Sequence, residues 1–170
     1  GSRKKSLYRH LANSAGTLSD SCFHFDMVRV GLSLYGYYPN IELETDLNLK
    51  PALNVRARVT HLRDVKKGTG VGYGHVFKSQ RKSRLAVVAI GYADGVSRAL
   101  SGKIYASVDG VLVPQVGAIA MDQMVLDITD HPNISVGKVV TLLGSDRDNF
   151  ISPKKWSELS GSIPWEILCS

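Results

Sequence analysis

The stretch Leu53-Asn54-Val55-Arg56-Ala57-Arg58-Val59-Thr60 decides the fold of this chain. Apolar and polar side chains alternate over all eight residues, as in a β-strand with one buried and one solvent-facing side. Further along, Leu85–Ile90 is almost continuously apolar, which predicts a strand buried on both faces. From about Ala52 onward, therefore, the sequence predicts a β-domain.

Turn signals separate further short strands in the same region. Asp109-Gly110 lies between the apolar runs Ile104–Val108 and Val111–Val113, and this dipeptide is the strongest short signal for a β-hairpin. Strands are also predicted at Val125–Ile128 and Val139–Leu143. Short strands with regular turns are typical of a small barrel or sandwich, so the predicted class is mainly β.

One late helix is predicted within this β-domain. Ser152 is a typical N-cap, Pro153 suits the first turn of a helix, and Gly161 is a typical stop. Trp156 and Leu159 would then lie on its inner face. The side chains of the β-domain that we expect to be largely buried are Leu53, Val55, Val59, Val87, Ile90, Val125, Leu126, Leu142 and Trp156.

The beginning of the chain has a different character. Asn13 and Ser14 form a capping pair that could open a short helix through about Cys22, and Val28–Tyr35 is typical of an apolar strand interrupted by Gly31. An acidic and polar stretch then leads to Pro51, as in a linker. The predicted division is residues 1–42, a linker at residues 43–51 and the β-domain at residues 52–170.

Composition limits the class of protein. The 170 residues are 44% hydrophobic and 21% charged, which is typical of a globular domain with a real core. No apolar run has the length of a membrane span, and the first residues lack the apolar segment of a signal peptide. Cys22 and Cys169 are far apart and have no metal-ligand spacing. These features predict a reduced, cytoplasmic protein without a metal site and without membrane contact.

The net charge raises the possibility of a nucleic-acid partner. A formal charge of +6 would suit a phosphate-bearing ligand. The basic residues are scattered, however, and the sequence contains no RNA-binding aromatic motif, zinc finger or phosphate-cradling glycine loop. A basic barrel that binds nucleic acid is therefore disfavoured.

The segment Val71-Gly72-Tyr73-Gly74-His75 is the most informative for function. Glycine on both sides allows a sharp turn and leaves the tyrosine ring uncrowded. Alone, the motif is more typical of a turn tyrosine on the surface. The motif becomes distinctive in combination with the segments that follow it in the sequence: Ile90–Gly95, then Arg98, then Met121-Asp122-Gln123.

Taken together, these motifs resemble the bacterial alanine racemases, which are pyridoxal-phosphate (PLP) enzymes of fold type III. The motifs that carry the resemblance are HLANS at 10–14, VRVGLSLYG at 28–36, VGYG at 71–74, GYADG at 91–95 with Arg98, and MDQM at 121–124. The resemblance implies a PLP-binding (β/α)8 barrel followed by a C-terminal β-domain, so residues 1–42 would be the last fragment of that barrel. It also implies a head-to-tail homodimer, in which the β-domain of one subunit completes the active site of the other, and a role in making D-alanine for bacterial cell walls.

The resemblance implies that Tyr73 is a catalytic base. Racemisation needs one base on each face of a planar carbanion, and in the family a lysine serves one face and this tyrosine the other. A free phenol has a pKa of about 10, so neighbouring groups must tune it for work near neutral pH. Met121 matches the position whose backbone N–H contacts the carboxylate of the small amino-acid substrate.

The same resemblance assigns cofactor-binding residues to the beginning of the chain. Asn13 and Ser14 match residues near the PLP phosphate, where a strand-to-helix turn exposes N–H donors. Gly31 and Leu32 match residues whose backbone approaches that phosphate. Arg29 matches the arginine that donates to the pyridine nitrogen. Because arginine stays protonated, that nitrogen would carry no proton, which favours reprotonation at Cα over transamination.

The remaining assigned residues would support the site or line its entry channel: His10, which braces the arginine, and Tyr92, Arg98 and Asp122. Each motif also has a simpler interpretation. GYADG is typical of a type I turn, and MDQM of a strand edge whose methionines fill the core. An Asn-Ser pair is often a plain helix cap, and an arginine on a strand often forms a surface ion pair.

Two positions depart from the family pattern, and one motif is missing. Ala118 stands where members commonly carry an arginine, and Trp165 stands where tyrosine is usual. The motif of the type KANAYGHG, which carries the cofactor-holding lysine, does not occur in the 170 residues. We therefore expect the chain to be a piece of a longer racemase and to be inactive by itself.

Two hypotheses about function stay open at this point. The first is the C-terminal part of a PLP-dependent enzyme that interconverts L- and D-alanine and supplies Tyr73 to the partner subunit's active site. The second is a non-catalytic dimerisation or interaction β-domain of a larger or decayed racemase-like protein. The intact set of motifs favours the first, and Ala118 favours the second weakly.

Overall fold

The chain forms two compact units, one up to residue 53 and one from residue 54 to residue 170. The structure is a computed structural model and describes residues 7–39 and 47–170. The predicted linker at residues 43–51 lies partly outside the described residues, so its bounds stay a prediction.

The first unit contains a β-α-β arrangement. Strand β1 (His10–Asn13) pairs in parallel with β2 (Met27–Arg29), and helix α1 (Ser14–Ser19) lies between them in sequence. Parallel neighbours need such a crossover connection, and (β/α)8 barrels are built from units of this kind.

Helix α1 begins where the sequence predicts. The side chain of Asn13 accepts a hydrogen bond from the Gly16 N–H at 3.1 Å, which makes Asn13 the N-cap. The helix ends at Ser19 rather than near Cys22, because Asp20 begins a separate 3-10 turn at Ser21–Phe23.

The predicted strand Val28–Tyr35 is wrong in its second half. Strand β2 ends at Arg29, and Leu32–Tyr35 forms a 3-10 turn. The turn closes at Gly36, whose φ of +83° is in the left-handed region that favours glycine. Leu32 is buried in this turn, so an apolar residue at position 32 fits the turn as well as it would fit a strand.

The second unit is a closed antiparallel barrel, as the mainly β prediction expected. Its strands are β3 (Val55–Val65), β4 (Gly70–Val71), β5 (Phe77–Lys78), β6 (Ser83–Val88), β7 (Tyr105–Val108), β8 (Val111–Val116), β9 (Met124–Asp127), β10 (Val139–Asp146) and β11 (Asn149–Ile151). The main sheet has the order β11-β10-β3-β6-β9-β8-β7. Strand β7 also pairs with β10 through Ser107 and Thr141, so six strands close into a ring and β11 extends it.

Strand β6 is buried on both faces, as its apolar run predicts. Ala86 and Val88 belong to the large core of the barrel, whereas Leu85 belongs to a smaller cluster on the opposite face with Val65 and Val116. The smaller cluster lies beneath the β4–β5 hairpin, which contributes Val71 and Phe77 to it.

Five of the nine expected core positions are buried: Val59, Ile90, Leu126, Leu142 and Trp156. The other four, Leu53, Val55, Val87 and Val125, are only partly buried. Val87 lies opposite Val125 in the β6–β9 register, and Val125 packs against the smaller cluster. That cluster covers its face of the sheet incompletely, which explains the partial exposure of Val87 and Val125.

Two helices follow the last strand, so the prediction of a single late helix is wrong by one. Helix α2 (Pro153–Ser160) has the predicted Ser152 cap, and Gly161 ends it with a φ of +73°. Helix α3 (Pro164–Cys169) then buries Ile167 and Leu168. With six residues, α3 is too short for a clear helical period, and Pro164 at its start was its main signal.

The Asp109-Gly110 turn joins β7 to β8 as predicted. Both residues have positive φ, +52° and +83°, which matches the right-handed twist of the flanking strands. The carboxylate of Asp146 accepts hydrogen bonds from the Ser107 hydroxyl at 2.6 Å and from the Gly110 N–H at 2.9 Å. The hydrogen bond from Ser107 is the main cause that lowers the pKa of Asp146 below its ordinary value. This network lies next to the Ser107–Thr141 pair that closes the barrel.

We predict that Asp146→Asn lowers the free energy of unfolding at neutral pH by about 1.5–3 kcal/mol, because weaker neutral hydrogen bonds replace two charge-assisted ones. The folded-state pKa is depressed, so this stabilisation is present above the ordinary carboxyl pKa of about 3.9. It is lost as the pH falls through the lower folded value. Urea unfolding at neutral pH and at about pH 3 measures both effects. The exposed neighbour Asp148 offers a control, and equal losses from Asp146→Asn and Asp148→Asn would contradict the prediction.

Candidate active site

The VGYG motif forms the tip of the β4–β5 hairpin. Tyr73 begins a 3-10 turn that ends at His75, and its side chain is 73% exposed. Gly72 and Gly74 have φ of +69° and +68°, so both flanking positions use the left-handed region that favours glycine. The glycines therefore fix the turn that presents the tyrosine.

The base of this hairpin is anchored by apolar packing. Val71 is buried, and Phe77 opposite it in register is partly buried. Both contact the smaller cluster on the face of the barrel sheet. Tyr73 is thus exposed at the end of a hairpin whose two strands are anchored by packing against the smaller cluster.

A second segment lies against the hairpin through backbone atoms. A Cβ on Gly117 would lie 2.9 Å from the Val71 carbonyl oxygen, and a Cβ on Gly72 would lie 3.4 Å from the backbone nitrogen and oxygen of Ala118. Ala118, which replaces the family's usual arginine, is buried. The two backbones therefore approach closely because the side chains between them are missing or small.

The GYADG turn docks on the same segment a few residues later. The Tyr92 N–H donates to the Ala120 carbonyl at 3.0 Å, and the Ala93 N–H donates to the Met121 carbonyl at 2.9 Å. A Cβ on Gly91 would lie 2.3 Å from the Ala120 oxygen. The GYADG segment is therefore more than the type I turn of the simpler interpretation. Its backbone packs against residues 120–121, and this close packing requires glycine at position 91.

We call residues 70–76, 91–98 and 117–122 the three-loop edge. It brings together Tyr73, Tyr92, Arg98, Met121 and Asp122, all with exposed side chains. Met121 is 57% exposed, and its backbone N–H donates to none of the described residues. The sequence-based assignments in the β-domain thus fall on adjoining loops at one edge.

Two residues that the sequence analysis did not assign hold this edge in place. The Ser101 hydroxyl donates to the Arg98 carbonyl at 2.6 Å and accepts from the Ile119 N–H at 3.0 Å. The Gln115 side chain is buried and donates to the Gly117 carbonyl at 2.9 Å. Gln115 has the strand parity of the buried Val113, and this inward polar position was the signal that could have found it.

The cofactor assignments fall in the first unit, where two motifs meet. The Ser14 hydroxyl accepts hydrogen bonds from the N–H groups of Gly31 at 3.0 Å and Ser33 at 3.4 Å. Ser14 and Leu32 are buried, whereas Asn13 is occupied as the cap of α1. Helix α1 has six residues, fewer than two turns, so amide and hydroxyl groups rather than a long helix dipole dominate this corner.

Arg29 lies across from Asn13 in the β1–β2 register, and its guanidinium donates to the Leu11 carbonyl at 3.2 Å. Within the described residues it makes no hydrogen bond to His10, which is exposed on β1 opposite Met27. The bracing of the arginine by His10 therefore stays a prediction.

The residues of this corner suit a phosphate-bearing aromatic cofactor. A Cβ on Gly31 would meet no atom within 4 Å, so open space adjoins this corner, and the Ser14 hydroxyl, which accepts from Gly31 and Ser33, can still donate its own hydrogen. The exposed Arg29 side chain has five N–H donors, of which one described bond uses one. Guanidinium N–H and hydroxyl groups of this kind can donate hydrogen bonds to the oxygens of a phosphate and to the nitrogen of an aromatic ring.

The described residues contain neither a metal-binding cluster nor a helix suited to a membrane. In residues 7–39 and 47–170, no cluster of three or more His, Cys, Asp or Glu side chains is arranged to hold a metal ion. No helix in the same ranges combines the length and apolar character needed to cross a membrane.

Family models match most of the chain. The model for "Alanine racemase, C-terminal domain" matches residues 52–170, and that for "Alanine racemase, N-terminal domain" matches residues 2–39. The chain therefore belongs to the alanine racemase family, which confirms the resemblance inferred from its motifs.

Similar proteins with this name cover nearly all of the chain. An alanine racemase of Prochlorococcus marinus is 67% identical over 168 residues, which are 99% of this chain and 44% of that protein. The structure of alanine racemase from Bacillus anthracis with bound L-Ala-P has a TM-score of 0.87 and 37% identity, over 95% of this chain and 42% of its own. That of the Bartonella henselae enzyme with covalently bound pyridoxal phosphate has a TM-score of 0.81 and 37% identity, over 96% and 44%. The chain thus spans less than half the length of each.

We predict that Gly91→Ala displaces the backbone of residues 117–122, because the new Cβ would overlap the Ala120 carbonyl. Amide hydrogen exchange followed by mass spectrometry should show faster exchange in that segment. Ala93→Ser changes an exposed side chain of the same turn and leaves its backbone bonds intact, so it serves as the control. Unchanged exchange at residues 117–122 in Gly91→Ala would refute the close approach.

Proposed function

We propose that this chain is the C-terminal part of a PLP-dependent alanine racemase and that Tyr73 is one of its two proton-transferring bases. The observation that carries the proposal is the three-loop edge, where an exposed phenol on a glycine-flanked turn adjoins the segment that bears the Met121 N–H. The 67% identity to a protein named alanine racemase supports the choice of reaction and of alanine as substrate.

Tyr73 would hold and release the proton at the substrate Cα on one face. Its phenol oxygen must be ionised to accept that proton, and an ordinary phenol has a pKa of about 10. In this chain the Tyr73 side chain is 73% exposed, so its phenol oxygen is accessible to a substrate held against the three-loop edge. The base for the opposite face would be a lysine that is not part of this sequence.

Met121 would bind the substrate carboxylate through its backbone N–H. The Ala120 carbonyl and the Met121 N–H belong to one planar trans peptide and point in opposite directions. The Tyr92 N–H holds that carbonyl at 3.0 Å, so the orientation of the Met121 N–H is set in advance. A fixed donor of this kind costs little further ordering when it binds a carboxylate.

The first unit would hold the cofactor. Ser14, Gly31 and the neighbouring backbone would receive the phosphate, and Arg29 would donate to the pyridine nitrogen. When bound, PLP supplies the electron sink that makes the Cα proton removable. The donor set and the open space at Gly31 support this assignment, as does the 37% identity to the relative with covalently bound pyridoxal phosphate.

The partner would be a second copy of the same protein. Tyr73, Val76, Tyr92 and Met121 are all exposed on the three-loop edge, and an exposed apolar patch of this kind is typical of a surface that another chain covers. The alternative hypothesis, a non-catalytic interaction domain, would use the same surface. A cytoplasmic location and the absence of nucleic-acid partners stay predictions.

In the complete racemase, Tyr73→Phe should reduce racemisation by about 10²–10⁴-fold while PLP stays bound, because only the proton-transferring oxygen is removed. Proton exchange at Cα should fall most for the enantiomer whose hydrogen faces Tyr73. Exchange into deuterated water, measured for each enantiomer separately, gives both results. The 170-residue chain alone should show no racemase activity.

Tyr105→Phe is the matched control, since Tyr105 is also an exposed tyrosine and lies on β7 outside the three-loop edge. Its activity should equal that of the unmodified protein. Wild-type exchange of both enantiomers in Tyr73→Phe would reject the base assignment and favour the interaction domain.

A further inference from the structure

Gln115 is a buried polar residue whose side-chain amide is fully engaged. The residue lies near the end of β8 and is 2% exposed. Its Nε2 donates to the carbonyls of Val116 at 3.0 Å and Gly117 at 2.9 Å, and its Oε1 accepts from the Gly102 N–H at 2.5 Å. A buried amide with both donors and its acceptor satisfied is rigid, since each lost bond would leave a buried group unpaired.

These bonds lead directly to the loop that carries Tyr73. The Gly117 carbonyl and the Ala118 nitrogen belong to the same planar peptide. Gln115 holds one edge of that plane, and the other edge lies against Gly72, the residue before Tyr73. The preceding Gly117 Cα lies against the Val71 carbonyl. One buried amide therefore fixes the peptide on which the turn rests.

Loop 101–102 strengthens the same arrangement from one side. Gly102 donates to Gln115, and the adjacent Ser101 hydroxyl accepts from the Ile119 N–H at 3.0 Å. Residues 115–119 are thus held at two points by one loop. A glutamate at position 115 would lose both donors and bury a charge, whereas methionine would fill a similar space without any of the bonds.

We propose that Gln115 is a positioning residue for Tyr73, acting through the Gly117–Ala118 peptide. The proposal rests on the proposed function of Tyr73 as a base. Gln115 does not touch substrate. Its role is to keep the phenol oxygen at the distance and angle that proton transfer requires, where a misplacement of about 1 Å costs about 10²-fold in rate.

The first test uses the 170-residue chain and does not depend on activity. Gln115→Met should raise amide hydrogen exchange in residues 69–76 by about tenfold or more, as expected for a lost buried hydrogen bond, and leave residues 139–146 unchanged. Ser107→Ala is the matched control, because Ser107 is a buried, hydrogen-bonded residue at the opposite, turn end of the β7–β8 hairpin. It should leave residues 69–76 unchanged.

Ser101→Ala provides a milder variant if Gln115→Met does not fold. It removes the bond to the Ile119 N–H and should raise exchange at residues 69–76 by a smaller factor. Exchange at residues 69–76 that is unchanged in the folded variant, or raised equally over the whole β unit, overturns the proposal.

The second test uses the complete racemase with PLP. Gln115→Met should lower kcat by about tenfold to a hundredfold through the Tyr73 face, with KM and the exchange on the opposite face nearly unchanged. A uniform loss on both faces would indicate a merely structural role and overturn the proposal. If Tyr73→Phe itself leaves racemisation intact, the base assignment fails, and hydrogen exchange at residues 69–76 still decides whether Gln115 holds the loop.

Discussion

The pairing of β7 with β10 is the constraint on which the second unit depends. Without it, the main sheet would be an open ribbon, with one end strand offering unpaired N–H and carbonyl groups. The Ser107–Thr141 pair closes the ring, and the carboxylate of Asp146 ties the closing strand to the turn beside it. The large core fills the closed ring of strands. The loops connect these strands, so the positions of the strands set the distances between the loops.

The three-loop edge is assembled almost entirely from main-chain contacts. The turn at residues 91–95 is held by N–H groups that reach the carbonyls of Ala120 and Met121, and the tyrosine hairpin rests on the Gly117–Ala118 peptide. Contacts between main-chain atoms do not depend on side-chain rotamers. The geometry of this edge is therefore well defined although its side chains are exposed. That combination suits a surface that presents functional groups to another chain.

The sequence predicted most of the β architecture because its signals were local. Alternation identified β3, and the Asp109-Gly110 pair identified the β7–β8 hairpin. The failures had non-local causes. The run at Val28–Tyr35 leaves the strand after Arg29 and places Leu32 in a buried turn, and helix α3 is too short to show a period. Partial cover by one hairpin left Val87 and Val125 half-buried, which no pattern within their own strands could indicate.

The candidate site was less accessible to residue-by-residue reasoning. The assignments of Tyr73, Met121 and Arg29 came from resemblance to a family, because a tyrosine between glycines is ambiguous by itself. What the resemblance did not supply is the set of supports. Ser101 and Gln115 became visible only when their partners, distant in sequence, were brought together in space.

The close approach of bare backbones at Gly72, Gly91 and Gly117 also shapes how this edge tolerates change during evolution. A hydrogen bond between main-chain atoms does not depend on which side chain its residues carry, so exposed positions such as Ala93 are free to drift. At Gly91 and Gly117 the first carbon added would lie only 2.3 Å and 2.9 Å from a neighbouring backbone oxygen, and at Gly72 the φ of +69° strains any residue other than glycine. Substitutions there have no gradual series of intermediates. Mutational tolerance along the edge is therefore close to all-or-none, with permissive and forbidden positions adjoining one another in the chain.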